Sequence, residues 1–295
     1  MRVLLSITIF VTGCLALSVG WAQTQEEELK LTALQALVSA PPEKAVPIAA
    51  RVLRDERSST ILKERALFVL GQMDSDDART LLLEAATDST TDTQHEAIRI
   101  IGINGDSDSL TQLQALYRNG DSDVRRAVLE AYLIADESGL VYEAALAADT
   151  PDDFADAVET LGAMGALDEL RALRESAGWS ESLIDAYAIA GDIESLSALA
   201  TDRSDPERQA RAIEGLAVAA GDEAEGTLAT IYRETSSERV KEAALEGLMI
   251  ADGDESVLAL FHESNDTEEK RRLLEMLVMM DSDAVWDVID ATLTN

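Results

Sequence analysis

His95 and His262 are the only two imidazoles in the chain for acid–base or metal chemistry. Neither has a second histidine at ligand spacing, so a zinc centre would need carboxylates alone or a partner chain. Both are expected to be solvated or capping side chains. A Ser-His-Asp triad can be drawn from so many serines and aspartates, but no Gly-x-Ser-x-Gly elbow exists to expose a nucleophile. No glycine loop of the phosphate-cradling kind is present either. The expectation is therefore no catalytic residue, no metal and no cofactor.

Oxygen ligands cluster in four short acidic stretches: Asn104 to Asp108, Asn119 to Asp123, Asp252 to Glu255, and Asp281 to Asp283. Calcium favours such groups. None completes the D-x-[DN]-x-[DN]-G-x5-E loop, and each falls where a helix needs a cap, so capping is the expected role and weak calcium binding the alternative. Paired carboxylates for glycoside cleavage are unspecific among 57 acidic residues without a set of cleft-forming aromatics. Trp179 and Trp286 read as core or interface residues rather than sugar platforms. Arg51, Arg54 and Arg57, at helical spacing, are candidate partner-binding residues that would present a cationic strip to an acidic partner. Arg125-Arg126, Arg171, Arg174 and Arg271-Arg272 read as intra-repeat salt bridges.

These side chains are set in an acidic chain of 295 residues, with 24 Lys+Arg against 57 Asp+Glu and a formal charge of −33. Such a balance argues against nucleic acid, whose phosphates require Lys and Arg, and against an anionic membrane face. A hydrophobic fraction of 46% is enough for a packed core, and too much for wholesale disorder.

The N-terminus reads as an address. Arg2 is followed by an apolar run from Val3 and by small residues at Gly20 and Ala22, as in a secretory signal peptide cleaved after Ala22. A lipoprotein acylated at Cys14 and an uncleaved anchor are the alternatives. Cys14 is the only cysteine, so the cleaved chain has no disulfide, thiolate metal site or cysteine nucleophile. The expected location is periplasmic or secreted, with no membrane insertion after cleavage. Residues 1–22 form the signal segment and residues 23–295 one repeat array.

What positions everything else is a repeat. The pattern Ala-(Leu/Ile)-x-x-Leu, or a close variant, ends at Leu37, Leu70, Ile101, Tyr132, Leu161, Tyr187, Leu216, Leu248 and Leu277, at intervals of 26 to 33 residues. Twelve residues after each of these anchors stands another apolar residue, from Ala49 and Leu82 to Leu260 and Ile289. About four residues after most anchors comes a break, such as Gly105, Asp136, Gly165, Gly191, Asp252 or Asp281. Apolar residues at i, i+1 and i+4 form one stripe of a helix, and the break ends it. Asp106 and Asp192 can then cap the next helix. Pro151 and Pro206 follow Thr150 and Asp205, the order of a first helical residue behind a capping one. Pro42 opens the second helix of the first unit, and Pro47 should kink that helix or delay its start. Each unit is helix, turn, helix, and the predicted fold is all-α, an α-solenoid of about nine such units.

Ala97-Ile98-Arg99-Ile100-Ile101-Gly102-Ile103-Asn104-Gly105-Asp106 resembles the A-L-x-x-L-G-x-x-G-D signature of HEAT repeats, in their short phycobilisome-lyase-like form. Ala157 to Gly165 repeats it, and Ala66 to Asp74 matches apart from the second glycine. Val124-Arg125-Arg126 and Val240-Lys241-Glu242 resemble the family's lead-in to its first helix. The resemblance spans about residues 30–293, with a short sixth unit and Tyr132, Tyr187 and Ala217 as departures. It implies a curved solenoid whose concave wall, made by second helices, binds other proteins.

The expected function is a non-enzymatic protein-interaction scaffold or adaptor in the cell envelope, with an unidentified envelope or secreted protein as partner. Two alternatives stand beside it: a phycobilin-lyase-like accessory protein that binds a tetrapyrrole, and a structural protein that self-associates through a terminal helix near residues 282–294.

Overall fold

A computed structural model describes residues 25–88, 91–282 and 285–294. Among them every regular element is helical. The chain divides into two units, Met1–Glu137 and Ser138–Asn295. The signal-peptide expectation, with Cys14 and Ala22, lies outside the described residues.

The first unit contains α1 (residues 25–37), α2 (Pro42–Arg54), α3 (Thr60–Gly71), α4 (Asp76–Asp88), α5 (Thr91–Asn104), α6 (Ser107–Asn119) and α7 (Ser122–Ile134). Helices α3, α5 and α7 lie side by side, and α2, α4 and α6 form the second row. Gln35 on α1 accepts a hydrogen bond from Arg65 on α3 at 3.1 Å. Pro42 takes the first position of α2, and the helix runs on through Pro47, which has no N–H to donate to it.

The second unit contains α8 (Ser138–Leu146), α9 (Pro151–Met164), α10 (Leu167–Ala177), α11 (Glu181–Ala190), α12 (Ile193–Ala200), α13 (Pro206–Ala220), α14 (Glu225–Glu234), α15 (Glu238–Ile250), α16 (Asp254–Glu263), α17 (Thr267–Met279) and α18 (Val285–Thr294). Helices α9, α11, α13 and α15 pack in sequence, and each even-numbered helix from α8 to α16 leans on the odd-numbered helix that follows it. Both units are thus stacked helical hairpins, an all-α solenoid architecture.

The anchors are the core. Leu70, Ile101 and Tyr132 in the first unit, and Leu161, Tyr187, Leu216, Leu248 and Leu277 in the second, are buried. Leu82, Leu113, Leu173, Leu199, Leu228 and Leu260, each twelve residues past an anchor, are buried too. At two anchors Tyr replaces Leu or Ile, and the hydroxyl meets a second-helix carbonyl: Tyr132 donates to Leu110 O and Tyr187 to Leu170 O, both at 3.3 Å. A Tyr therefore fits the slot because its polar tip is satisfied.

The break residue stops the odd-numbered helix by a left-handed turn. Gly191, at φ 73°, donates to Ala188 O, and Asp192 donates to the carbonyl of the anchor Tyr187 at 2.9 Å. The same pair of bonds closes α9 at Gly165, α15 at Asp252 and α17 at Asp281. These satisfy carbonyls that the helix end would leave open. Three of the break residues are aspartates held at positive φ: Asp136, Asp252 and Asp281 at 59°, 54° and 53°. The next helix starts on a side-chain cap, with Asp106 accepting from Ser109 N and Asp192 from Ser195 N. Thr150 before Pro151 and Asp205 before Pro206 cap α9 and α13 as their order predicts.

Small residues set how close the odd-numbered helices come. A Cβ on Gly162 of α9 would lie 3.0 Å from the Ala186 backbone of α11. On Gly215 of α13 it would lie 3.3 Å from the Ala188 Cβ, and on Gly247 of α15, 3.3 Å from the Ala217 Cβ. The equivalent residues of α15 and α17 are Met249 and Met276. There the helices are tied by Lys241–Glu269 at 2.7 Å and Arg272–Glu238 at 2.8 Å.

Candidate functional site

The arginine strip is shorter than its spacing predicts. Arg51 and Arg54 stand in the last turn of α2, but the helix ends there, because Asp55 adopts extended backbone at φ −80°, ψ 112°. Arg57 lies beyond the helix, and its guanidinium is gripped by Asp55 at 3.1 and 3.2 Å. Arg54 reaches Glu84 on the next hairpin at 3.3 Å. The helical strip therefore holds Arg51 and Arg54, not all three.

Of the arginines read as intra-repeat pairs, Arg171 and Arg272 instead cross to Asp192 and Glu238 of a neighbouring hairpin, and other cations do the same. Arg211 binds Asp185 at 2.6 Å, Arg239 binds Glu214 at 2.7 Å, Arg233 binds Glu263 at 2.7 Å, and Arg203 binds Glu234. Stacking brings equivalent turns of successive hairpins together, so partners lie about one repeat apart in sequence. Arg271 pairs within its own helix, with Glu268 and Glu275. Arg126 likewise faces Asp123 at 3.7 Å, while Arg125 donates to Tyr117 O.

One carboxylate is deeply placed. Asp192 is 3% exposed and receives two bonds from Arg171, at 3.0 and 3.1 Å, beside those from Ser195. Burial pushes its carboxyl up, yet the Arg171 guanidinium and the Ser195 donors outweigh that and hold it below the usual carboxylate value. It locks α10 to the start of α12 and is consumed in doing so.

The remaining candidates are dispersed. His95 is half-buried, and its Nε2 is enclosed with no hydrogen-bond partner among the described residues. His262 is exposed on α16, edge-on to Phe261 at 5.7 Å between centroids. Among the described residues no group of His, Cys, Asp and Glu could hold a metal ion. The acidic stretches divide in role. Asp106 and Asp121 cap helices as expected, whereas Asp252 and Asp281 take the left-handed position that ends the preceding helix. Trp179 packs edge-on to Tyr187 at 6.1 Å with the Arg174 guanidinium over its ring. Trp286 is 67% exposed on α18, so of the two readings, core or interface, it is not a core residue.

A cleft of about 750 Å³ lies between α16, α17 and α18, lined by Leu258, Phe261, Leu274 and Val288. Lys270 stands at its wall, 5.2 Å from the Phe261 ring centroid. His262, Thr267, Arg271 and Asp287 complete the polar part of its lining.

What the sequence reading missed is a set of exposed apolar side chains at one register position, two residues past the anchor. Ile103 and Ile134 occupy it in the first unit, and Ile189, Val218, Ile250 and Met279 in the second. The signal was present in the repeat alignment, but exposure cannot be read from an apolar residue beside an apolar stripe.

Hairpins with such turns and anchors define a helical-repeat protein, and a family model described as HEAT repeats matches residues 56–134. A solved structure, human deoxyhypusine hydroxylase in complex with glycerol, is similar at 17% identity and a TM-score of 0.32, over 79% of this chain and 98% of its own. No curated protein matches. Among the described residues no helix is long and apolar enough to cross a membrane.

Proposed function

We propose that this chain is a non-enzymatic scaffold or adaptor that binds another protein in the cell envelope, after export directed by residues 1–22. HEAT repeats serve as interaction scaffolds, and the observation that carries the reading is the repeated exposure of Ile103, Ile134, Ile189, Val218, Ile250 and Met279 beside buried anchors. Scattered exposed apolar residues need no explanation, whereas a regular series of them marks an interaction surface. Several polar groups are meanwhile committed to the fold: Asp192 to Arg171, Asp106 to Ser109, and Arg211 and Arg239 to Asp185 and Glu214.

In-cell cross-linking of the full chain followed by mass spectrometry tests this. One envelope or secreted protein should be captured reproducibly, at residues of the repeat array. An envelope pull-down and cross-linking that both return only background would sink the scaffold reading. Appearance of the chain in the cytoplasmic fraction alone would sink the location.

A further inference from the structure

We propose that the turn edge of the second unit, formed by the C-terminal halves of α11, α13 and α15 and the turns after them, docks a basic amphipathic segment of another protein. The inference rests on the scaffold reading and adds the face and the partner's chemistry.

The apolar half of the argument is geometric. Ile189, Val218, Ile250 and Met279 are 54%, 67%, 51% and 68% exposed, although each follows a buried anchor by two residues. Ala188 meets Gly215 and Ala217 meets Gly247, one residue from the exposed position, so α11, α13 and α15 are clamped side by side at the level of the stripe. Packed helices lie about 8–10 Å apart, so Ile189, Val218 and Ile250 span about 16–20 Å. A partner helix of about twelve residues covers that length.

The charge half comes from where cations are missing. No Lys or Arg occurs between Glu175 and Asp202, between Ala212 and Tyr232, between Glu242 and Glu269, or between Leu273 and Asn295. The first three of those stretches contain the whole edge. Arg211, Arg239 and Arg271 reach in from the far halves of the odd-numbered helices and bind Asp185, Glu214 and Glu275. Asp222, Glu223, Glu246, Asp252 and Asp281 are exposed and belong to no ion pair among the described residues. Apolar residues flanked by unanswered carboxylates exclude most occupants. A neutral apolar partner would strip water from those carboxylates without replacing it. A second copy docking on the same edge would set carboxylates against carboxylates. Lys and Arg on either side of an apolar face satisfy both features, and the charge of the chain steers such a segment inward.

The probe is a synthetic peptide of about 14 residues, Leu on one helical face and Lys on the other, titrated by fluorescence anisotropy into the full chain at about 0.15 M salt. Controls are a scrambled peptide of the same composition and a Leu/Glu counterpart. The amphipathic Lys peptide should bind at least about tenfold tighter than the scrambled one, and Val218→Ser or Ile250→Ser should each weaken it about five- to tenfold. Glu246→Gln with Asp252→Asn should weaken it and flatten its salt dependence. Ile103→Ser, in the first unit, should leave it unchanged. Circular dichroism checks that these exposed-site variants stay folded, and a photo-cross-linker on the peptide should label residues within 185–194, 214–226 or 246–256. Affinity indifferent to Val218→Ser and Ile250→Ser, equal binding of the scrambled peptide, or labelling elsewhere overturns the proposal. If the peptide fails while in-cell cross-linking still captures a partner, the scaffold reading stands and this edge falls. If the partner's segment captured on this edge is acidic or uncharged, the assigned chemistry falls.

Discussion

A methyl group placed on Gly102 would stand 2.7 Å from both the Cα and the carbonyl oxygen of Ala131, so α5 and α7 touch backbone to backbone. Such a contact cannot be relieved by turning a side chain, only by parting two helices that also share the core around Ile101 and Tyr132.

Gly102→Ala should therefore destabilise the chain by about 1–3 kcal/mol, despite the ~1 kcal/mol that Ala gains over Gly in a helix. Gly215→Ala meets the Leu196 Cδ2 at 3.1 Å, which can turn, and the Ala188 Cβ at 3.3 Å, a milder overlap than a backbone contact at 2.7 Å, and should cost less than Gly102→Ala. Denaturant unfolding of the two variants gives the order. Equal midpoints would show that α5 and α7 are not held at backbone contact.

The aspartate at the end of α7 gives a change in the opposite direction. Asp136 sits at φ 59°, a region that glycine adopts freely and other residues enter at a cost. Asp136→Gly should stabilise by about 0.5 kcal/mol, the relief exceeding the extra freedom of glycine in the unfolded chain. Gly191→Ala, at φ 73°, should lose about 1 kcal/mol by the same reasoning. A lower unfolding midpoint for Asp136→Gly would mean that its carboxylate does something the turn geometry does not require.

Acid should act through Asp192. Its carboxyl lies below the usual value in the folded chain, so between the folded and unfolded values the native state binds fewer protons than the unfolded one. The contribution is complete above about pH 4, the unfolded value, and is lost as pH falls through the folded value. Asp192→Asn should be less stable than the parent at pH 7, and its melting temperature should fall less steeply below pH 4. Parallel acid limbs for the two proteins would remove Asp192 as a source of acid sensitivity.

Salt separates two electrostatic effects of opposite sign. Exposed pairs such as Arg233–Glu263 and Arg239–Glu214 weaken with added salt, but each is worth about 1 kcal/mol or less. Self-repulsion in a chain of charge −33 weakens too, and that favours the folded state. Repulsion should dominate, so the melting temperature should rise between about 0.01 and 0.5 M sodium chloride. A falling melting temperature would show that the ion pairs between hairpins outweigh it.

Much of this architecture is written locally. Anchors at Ile101 or Leu248, breaks at Gly105 or Gly191 and caps at Asp106, Asp192, Thr150 and Asp205 each depend on a few neighbouring residues, and helical periodicity and end chemistry act over that same distance. Where a local rule had two solutions, the sequence left both open. Asp252 and Asp281 read as helix-ending breaks and also suit a cap by type; they serve as the breaks, because Gly253 and Ser282 place their N–H groups on the anchor carbonyls. Arg57 fits a helical spacing on paper, but α2 has already ended at Arg54.

The sequence by itself determined the repeat, the hairpin within it, the buried anchors and the acidity that limits the partners. Only the tertiary structure decided that Gly102 meets Ala131, that Arg239 crosses to Glu214, and that Ile189, Val218 and Ile250 face outward beside unanswered carboxylates. Those relations depend on how close neighbouring helices lie and how they are rotated. Such quantities arise from many side chains packing at once, and no single stretch of chain encodes them.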